Sequence, residues 1–122
     1  MRLLIVEDNR SMRRLLRSIV ADLGDVVGEC EDGLEAVTSY ERLRPDVVLM
    51  DIKMTNVDGL EATRRIKATH PDARVIIVTE YDDTKLRAEA RAAGAIAYVI
   101  KEDLFALRKL LENIRSGSDG ME

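Results

Sequence analysis

The sequence has one cysteine, no long apolar run and no excess of positive charge. A lone Cys30 cannot close an internal disulfide, which argues against a disulfide-framed secreted module and reads as a reduced thiol. It is expected to act as a small hydrophobe at a strand end. No stretch approaches the roughly 18 apolar residues of a membrane span. The start turns acidic at Glu7-Asp8, too early for a signal peptide. A cytoplasmic location without membrane contact is therefore expected. Lys and Arg number 19 against 23 Asp and Glu, a net charge of −4. That balance disfavours nucleic-acid binding, which needs positive surface to displace counterions from phosphates. What is present is an ordinary globular mixture, 46% apolar and 34% charged over 122 residues. It suffices for one domain with one sizeable core.

Five short apolar runs, at 3–6, 26–30, 47–50, 75–78 and 97–100, alternate with longer segments of helical period. The runs are rich in Val and Ile and nearly unbroken, as in parallel strands covered on both faces. Met12, Leu15, Leu16, Ile19, Val20 and Leu23 form one helical stripe, and Leu104, Leu107, Leu110, Leu111 and Ile114 form another. The pattern predicts an α/β fold of five βα units with right-handed crossovers. Asp32-Gly33-Leu34-Glu35-Ala36 recurs as Asp58-Gly59-Leu60-Glu61-Ala62. The Asp-to-Glu spacing assigns Asp32 and Asp58 to helix starts of the capping-box kind. The helix near residues 84–93 has Leu86 as its only large apolar residue, so it is expected to pack weakly and to be able to move. The Gly/Ser/Asp-rich end is expected to fray.

Ligands of open α/β sheets bind beyond the carboxyl ends of the strands. The first strand delivers Glu7-Asp8 there, the third Asp51, the fourth Thr79 and the fifth Lys101. Three carboxylates in one crevice repel one another unless a cation neutralises them. Hard oxygen donors without His or Cys favour Mg2+ over zinc. With Thr79 as a hydroxyl donor and Lys101 as a fixed positive charge, the set suits phosphoryl transfer to a carboxylate.

With these residues in place, the sequence resembles the receiver domain of two-component response regulators, the family that includes the chemotaxis-type receivers. Glu7-Asp8 after Leu-Leu-Ile-Val, Asp51 in its apolar strand, Thr79 after Val-Ile-Ile-Val, and Tyr98 and Lys101 after Ala-Gly-Ala carry the resemblance across residues 2–116. It implies a doubly wound, flavodoxin-like sandwich with strand order 2-1-3-4-5, a receiver unit over 1–116 and a flexible tail over 117–122. It implies that Asp51 takes a phosphoryl group from a sensor histidine kinase or a histidine phosphotransfer protein. Asp8, Asp51 and the backbone carbonyl of Lys53 would hold Mg2+, with Mn2+ as a substitute and Glu7 acting through a water. Lys101 would pair with the phosphoryl group, Thr79 would move toward it, and Tyr98 would swing inward. Self-catalysed phosphotransfer and loss of the phosphoryl to water would follow, rather than metabolic enzyme activity. An output domain, an effector protein or a phosphorylation-dependent homodimer would read the result.

The sequence departs from the family pattern at Thr55 and Glu102, where proline is frequent, and at Glu80, where a small residue is usual. Three competing readings share these residues. A metal-dependent phosphoaspartate phosphatase needs an acid two residues after the nucleophile, where Lys53 stands. A flavin carrier would meet repulsion from Glu7-Asp8. A degenerate receiver would act by binding alone. His70, beside Pro71, reads as an exposed turn residue. Met12 with Arg13, Arg14 and Arg17 forms a helix face able to dock a phosphodonor, and Met50 and Met54 read as packing around Asp51.

Overall fold

The computed structural model describes residues 1–117. The elements run β1 (Arg2–Val6), α1 (Arg10–Val20), β2 (Asp25–Cys30), α2 (Gly33–Leu43), β3 (Val47–Met50), α3 (Gly59–Thr69), β4 (Val75–Thr79), α4 (Thr84–Ala93), β5 (Ala97–Ile100) and α5 (Leu104–Arg115). All strand pairs are parallel, in the order β2-β1-β3-β4-β5. This is the expected α/β sandwich. Of the expected tail at 117–122, residues 118–122 lie outside the described residues.

The apolar runs are unbroken where both sheet faces are covered. β1 beyond Arg2, β3 and β4 are buried throughout. The edges differ: β2 is mostly half-exposed and buries only Cys30. Alternate strand residues feed two cores. Leu4, Val6, Val48, Met50, Val75 and Ile77 pack toward α2 and α3, while Leu3, Ile5, Val47, Leu49, Ile76 and Val78 pack toward α1 and α5. Met50 sits in the first core with Met54 packed against it.

The α1 stripe is only partly inward. Leu16, Val20 and Leu23 are buried, Met12 and Ile19 are half-buried, and Leu15 remains 44% exposed. Leu23 lies beyond the helix end. The apolar stripe is wider than the surface it covers. In α5, Leu107 and Leu111 are buried, with Leu104, Leu110 and Ile114 packed at the margin. On α4 the buried positions are Ala90 and Ala93, and Leu86 is half-buried, so the helix has a thin apolar face.

Asp32 and Asp58 accept the backbone N–H of Glu35 and Glu61 at 2.8 and 2.9 Å. The reciprocal arms of a capping box are absent. Glu35 reaches the N–H of Glu31 instead, and Glu61 pairs with Arg64 and Arg65. The glycines of the repeat have a separate role. A Cβ on Gly59 would sit 1.8 Å from the Asp51 carbonyl oxygen, and one on Gly33 would sit 2.2 Å from that of Val57. Both approach the loop 51–58, which Gly59 N–H and Gly33 N–H bond at Ile52 and Val57. Asn56, at φ 65°, adds a side-chain bond to Asp32. The loop is thus tied down from two helix starts although Thr55 replaces proline.

His70 is not an exposed turn residue. Its Nε2 lies 2.8 Å from Glu41 Oε1, its ring packs on Tyr40, and its side chain is 18% exposed. Tertiary partners on α2 draw it in.

Candidate functional site

Backbone ladder bonds carry the site residues one step beyond their strands. Asp51 N–H donates to the Val6 carbonyl at 2.9 Å, and Lys101 N–H donates to the Thr79 carbonyl at 2.7 Å. Because β1, β3, β4 and β5 are consecutive in the sheet, Glu7-Asp8, Asp51, Thr79 and Lys101 emerge on the same rim. The second strand, at the sheet edge, adds no ligand there.

Glu7, Asp8 and Asp51 each place a carboxylate oxygen so that the three lie within 4.8 Å of one another. Glu7 and Asp51 are buried, at 1% and 6% exposure, and Asp8 is exposed. Lys101 Nζ lies 2.8 Å from Glu7 Oε1 and 3.4 Å from Asp51 Oδ2. Asp51 Oδ1 accepts the Ile52 N–H, which orients the carboxylate. Burial, followed by the charge of Asp51, lifts the Glu7 pKa to about 7 against the pull of Lys101. Burial also raises that of Asp51, opposed by Lys101. Burial disfavours charge on Lys101, but the Glu7 and Asp51 carboxylates outweigh it and hold its pKa above the ordinary lysine value. One ammonium does not neutralise three carboxylates.

The donor set fits a hard divalent ion. Every ligand is a carboxylate oxygen, and no Cys or His approaches. Glu7 Oε1 is buried and, despite its ion pair, has no hydrogen bond of good geometry. Beyond the Lys101 ammonium, this oxygen keeps lone-pair capacity for a cation-ordered water.

Thr79 is fully buried at the end of β4, and its Oγ1 accepts the Tyr81 N–H at 3.3 Å. Tyr98 is half-buried on β5 and does not touch the carboxylates. Its hydroxyl donates to the Tyr81 carbonyl, and Arg87 lies over its ring with 4.6 Å to the centroid. Lys53 is exposed in the loop after β3, with its ammonium 5.8 Å from the Tyr81 ring centroid. Its side chain therefore stays out of the carboxylate cluster. The Lys101–Glu102 peptide bond is trans.

Two contributors were not legible in the sequence. Asn9 caps α1 through Met12 N–H and gives its own N–H to Glu7 Oε2 at 3.1 Å. An Asn directly before a helical stripe is the signal that could have found it. Arg13 donates to the Glu7 carbonyl at 2.8 Å while paired with Glu29. Nothing in its spacing separates it from the neighbouring arginines. Tyr81, whose place just after Thr79 sets it beside the site, ties its parts together: its backbone N–H meets Thr79, its carbonyl meets Tyr98, and its ring meets Lys53.

The comparisons with known proteins agree with this architecture. The family model for the response regulator receiver domain matches residues 3–115. The chemotaxis protein CheY of Listeria monocytogenes is 37% identical over 119 residues, covering 97% of this chain and 98% of that protein. Among solved structures, a LuxR-family two-component response regulator from Aurantimonas superposes with a TM-score of 0.89 at 33% identity, over 95% of this chain and 85% of that one. The CheX–CheY–BeF3–Mg2+ complex from Borrelia burgdorferi superposes at 0.85 with 25% identity, over 93% and 89%. Five parallel strands in the order 2-1-3-4-5, a carboxylate cluster at their carboxyl rim and these matches lead to one conclusion: the chain belongs to the response regulator receiver domain family.

Proposed function

We propose that the chain accepts a phosphoryl group on Asp51 from a phosphohistidine of a sensor histidine kinase or a histidine phosphotransfer protein, in a Mg2+-dependent reaction. The observation that carries this reading is the convergence of Glu7, Asp8 and Asp51 within 4.8 Å beside Lys101. A carboxylate nucleophile, a fixed cation and a metal-competent acid pair are the parts that phosphoryl transfer to an aspartate needs.

In this reading an Asp51 carboxylate oxygen attacks phosphorus. The donor P–N bond breaks, its electron pair returns to the imidazole, and an acyl phosphate forms. Asp8, Asp51 and the Lys53 carbonyl would hold Mg2+, with Glu7 acting through a water and Mn2+ able to substitute. Bound there, the ion supplies charge neutralisation for the incoming phosphoryl oxygens. Lys101 pairs with one of those oxygens, and the Thr79 hydroxyl donates to another. Movement of Thr79 would disturb Tyr81, whose N–H it holds and whose carbonyl holds Tyr98. That chain of contacts links the pocket to β5 and the thinly packed α4, and so to the surface that partners read. Ile96, just before β5, and Phe105, in the first turn of α5, are exposed at 49% and 70% and suit contact with an effector, an output domain or a second phosphorylated copy. The receiver unit spans 1–116. A cytoplasmic setting suits its lone buried thiol, and among the described residues no helix is long and apolar enough to cross a membrane. The phosphatase reading lacks its acid, since the side chain two residues after Asp51 is an exposed lysine.

Phosphoramidate with Mg2+ is expected to add the mass of one phosphoryl group to the intact protein, and EDTA is expected to prevent it. Equal labelling in EDTA would remove the metal from the account.

A further inference from the structure

Glu80 directly follows Thr79 and is exposed. It lines a groove of about 250 Å³ together with Asn9, Ser11, Met12, Leu15 and Lys101. The groove opens on the ammonium that pairs with Asp51, so a donor approaching from this side passes Glu80. Its carboxylate also lies beside the Tyr81 hydroxyl and, as the largest influence on it, raises that group's pKa. Among the described residues no Lys or Arg forms an ion pair with Glu80. Lys53, the cation on the loop after β3, lies over the Tyr81 ring instead.

Formal charge makes the position consequential. In the metal-loaded pocket, Lys101 and a divalent ion balance Glu7, Asp8 and Asp51. Glu80 is then the uncompensated negative charge at the mouth, facing phosphodonors that are themselves anionic. Surface charge at a pocket entrance changes the encounter rate of charged reactants.

We propose that Glu80 is a charge filter at the mouth of the Asp51 pocket, favouring phosphodonors with a positive group beside the phosphoryl over donors with none. The proposal rests on the phosphoacceptor reading given above. A protonated phosphoimidazole has such a positive group, whereas an acyl phosphate does not. The filter would turn the pocket toward phosphohistidine and away from small acyl phosphates. The side chain acts on approach and is a specificity-determining residue, not a catalytic one.

Two small donors test it. Phosphoramidate has a protonated nitrogen. Asp51 attack forms the Asp51 O–P bond and breaks the P–N bond, and ammonia leaves with the electron pair. Acetyl phosphate lacks a positive group. There the P–O bond breaks and acetate leaves. Initial labelling rates of wild type, Glu80→Gln and Glu80→Ala would be measured with each donor at saturating Mg2+ by acid-quenched intact mass.

Glu80→Gln, which keeps the size and removes the charge, is expected to raise the acetyl phosphate rate relative to the phosphoramidate rate about three- to tenfold. That is the scale of one unit charge acting across several ångströms of mostly aqueous medium. Glu80→Ala is expected to match it, and the difference from wild type is expected to shrink at high salt. A Glu80→Gln ratio equal to wild type, with only Glu80→Ala changed, would make the effect one of bulk and overturn the filter. So would a salt-independent change, or an equal rise with both donors. Absence of labelling by either donor in every form would instead overturn the phosphoacceptor reading itself, and the filter with it.

Discussion

Asp51→Asn is expected to abolish phosphoryl incorporation from phosphoramidate while leaving the fold intact. The amide has nearly the shape of the carboxylate, and its oxygen can still accept the Ile52 N–H that orients Asp51. What it lacks is the anionic nucleophile and one of the three converging ligands. Both losses act on the same step, so the expected effect is complete loss and not a reduced rate. The fold should tolerate the change because Asp51 is a strained charge. Burial raises its pKa, and removing the charge relieves its repulsion with Glu7. Intact mass after incubation with donor and Mg2+ checks the first expectation, and urea unfolding checks the second. Labelling of Asp51→Asn at the wild-type level would move the acceptor to another residue.

Lys101→Ala is expected to destabilise the metal-free protein strongly at pH 8 and weakly at pH 5. Burial holds the Glu7 carboxyl at about 7, against the ordinary glutamate value of 4.5. Between those values the folded chain keeps a proton that the unfolded chain has released. Stability therefore falls as pH rises through that window, and the full penalty is present above it. The raised pKa of Asp51 adds to the fall in the same direction. Lys101 limits the penalty by pairing with both carboxylates. Its own pKa is raised, so it carries its charge at both test pH values and loses it only above the ordinary lysine range; what changes between them is the ionisation of its partner Glu7. Without it, Glu7 titrates still higher and the slope steepens. Stranding a buried charge costs about 3–5 kcal/mol, and protonation of Glu7 at pH 5 avoids most of that. Urea titrations in EDTA at the two pH values check this. Equal destabilisation at both would show that Lys101 acts by packing alone.

The strands and the site were legible in the sequence for one physical reason. A strand buried on both faces must be a continuous apolar run, so its end is marked by the first polar residue. At β1, β3 and β5 that residue is a member of the pocket: Glu7, Asp51 or Lys101. β4 closes with Thr79 itself, which is buried. What was not legible depends on partners distant in the chain. Leu15 belongs to a perfect helical stripe, yet periodicity does not report how far the sheet and α5 extend beneath it. His70 owes its half-buried position to Glu41 and Tyr40 on another helix. The repeated Asp-Gly pairs showed their caps but not their close approach to the loop 51–58, because a missing Cβ leaves no local pattern. Asn9 gives its backbone N–H to the Glu7 carboxylate and Arg13 gives a guanidinium N–H to the Glu7 backbone carbonyl, contacts that sequence composition does not display.

The central claim is that carboxylates from the ends of β1 and β3 form one divalent-ion site beside Lys101. Paramagnetic broadening of amide resonances by Mn2+ tests it most directly. The expected result is early loss of the signals of residues 6–9, 51–54, 79–81 and 101, intact signals around His70, and recovery on adding excess Mg2+. The Asp51→Asn variant should need at least about tenfold more Mn2+ for the same broadening. Broadening spread over the acidic surface, unaffected by Mg2+ or by Asp51→Asn, would contradict the account.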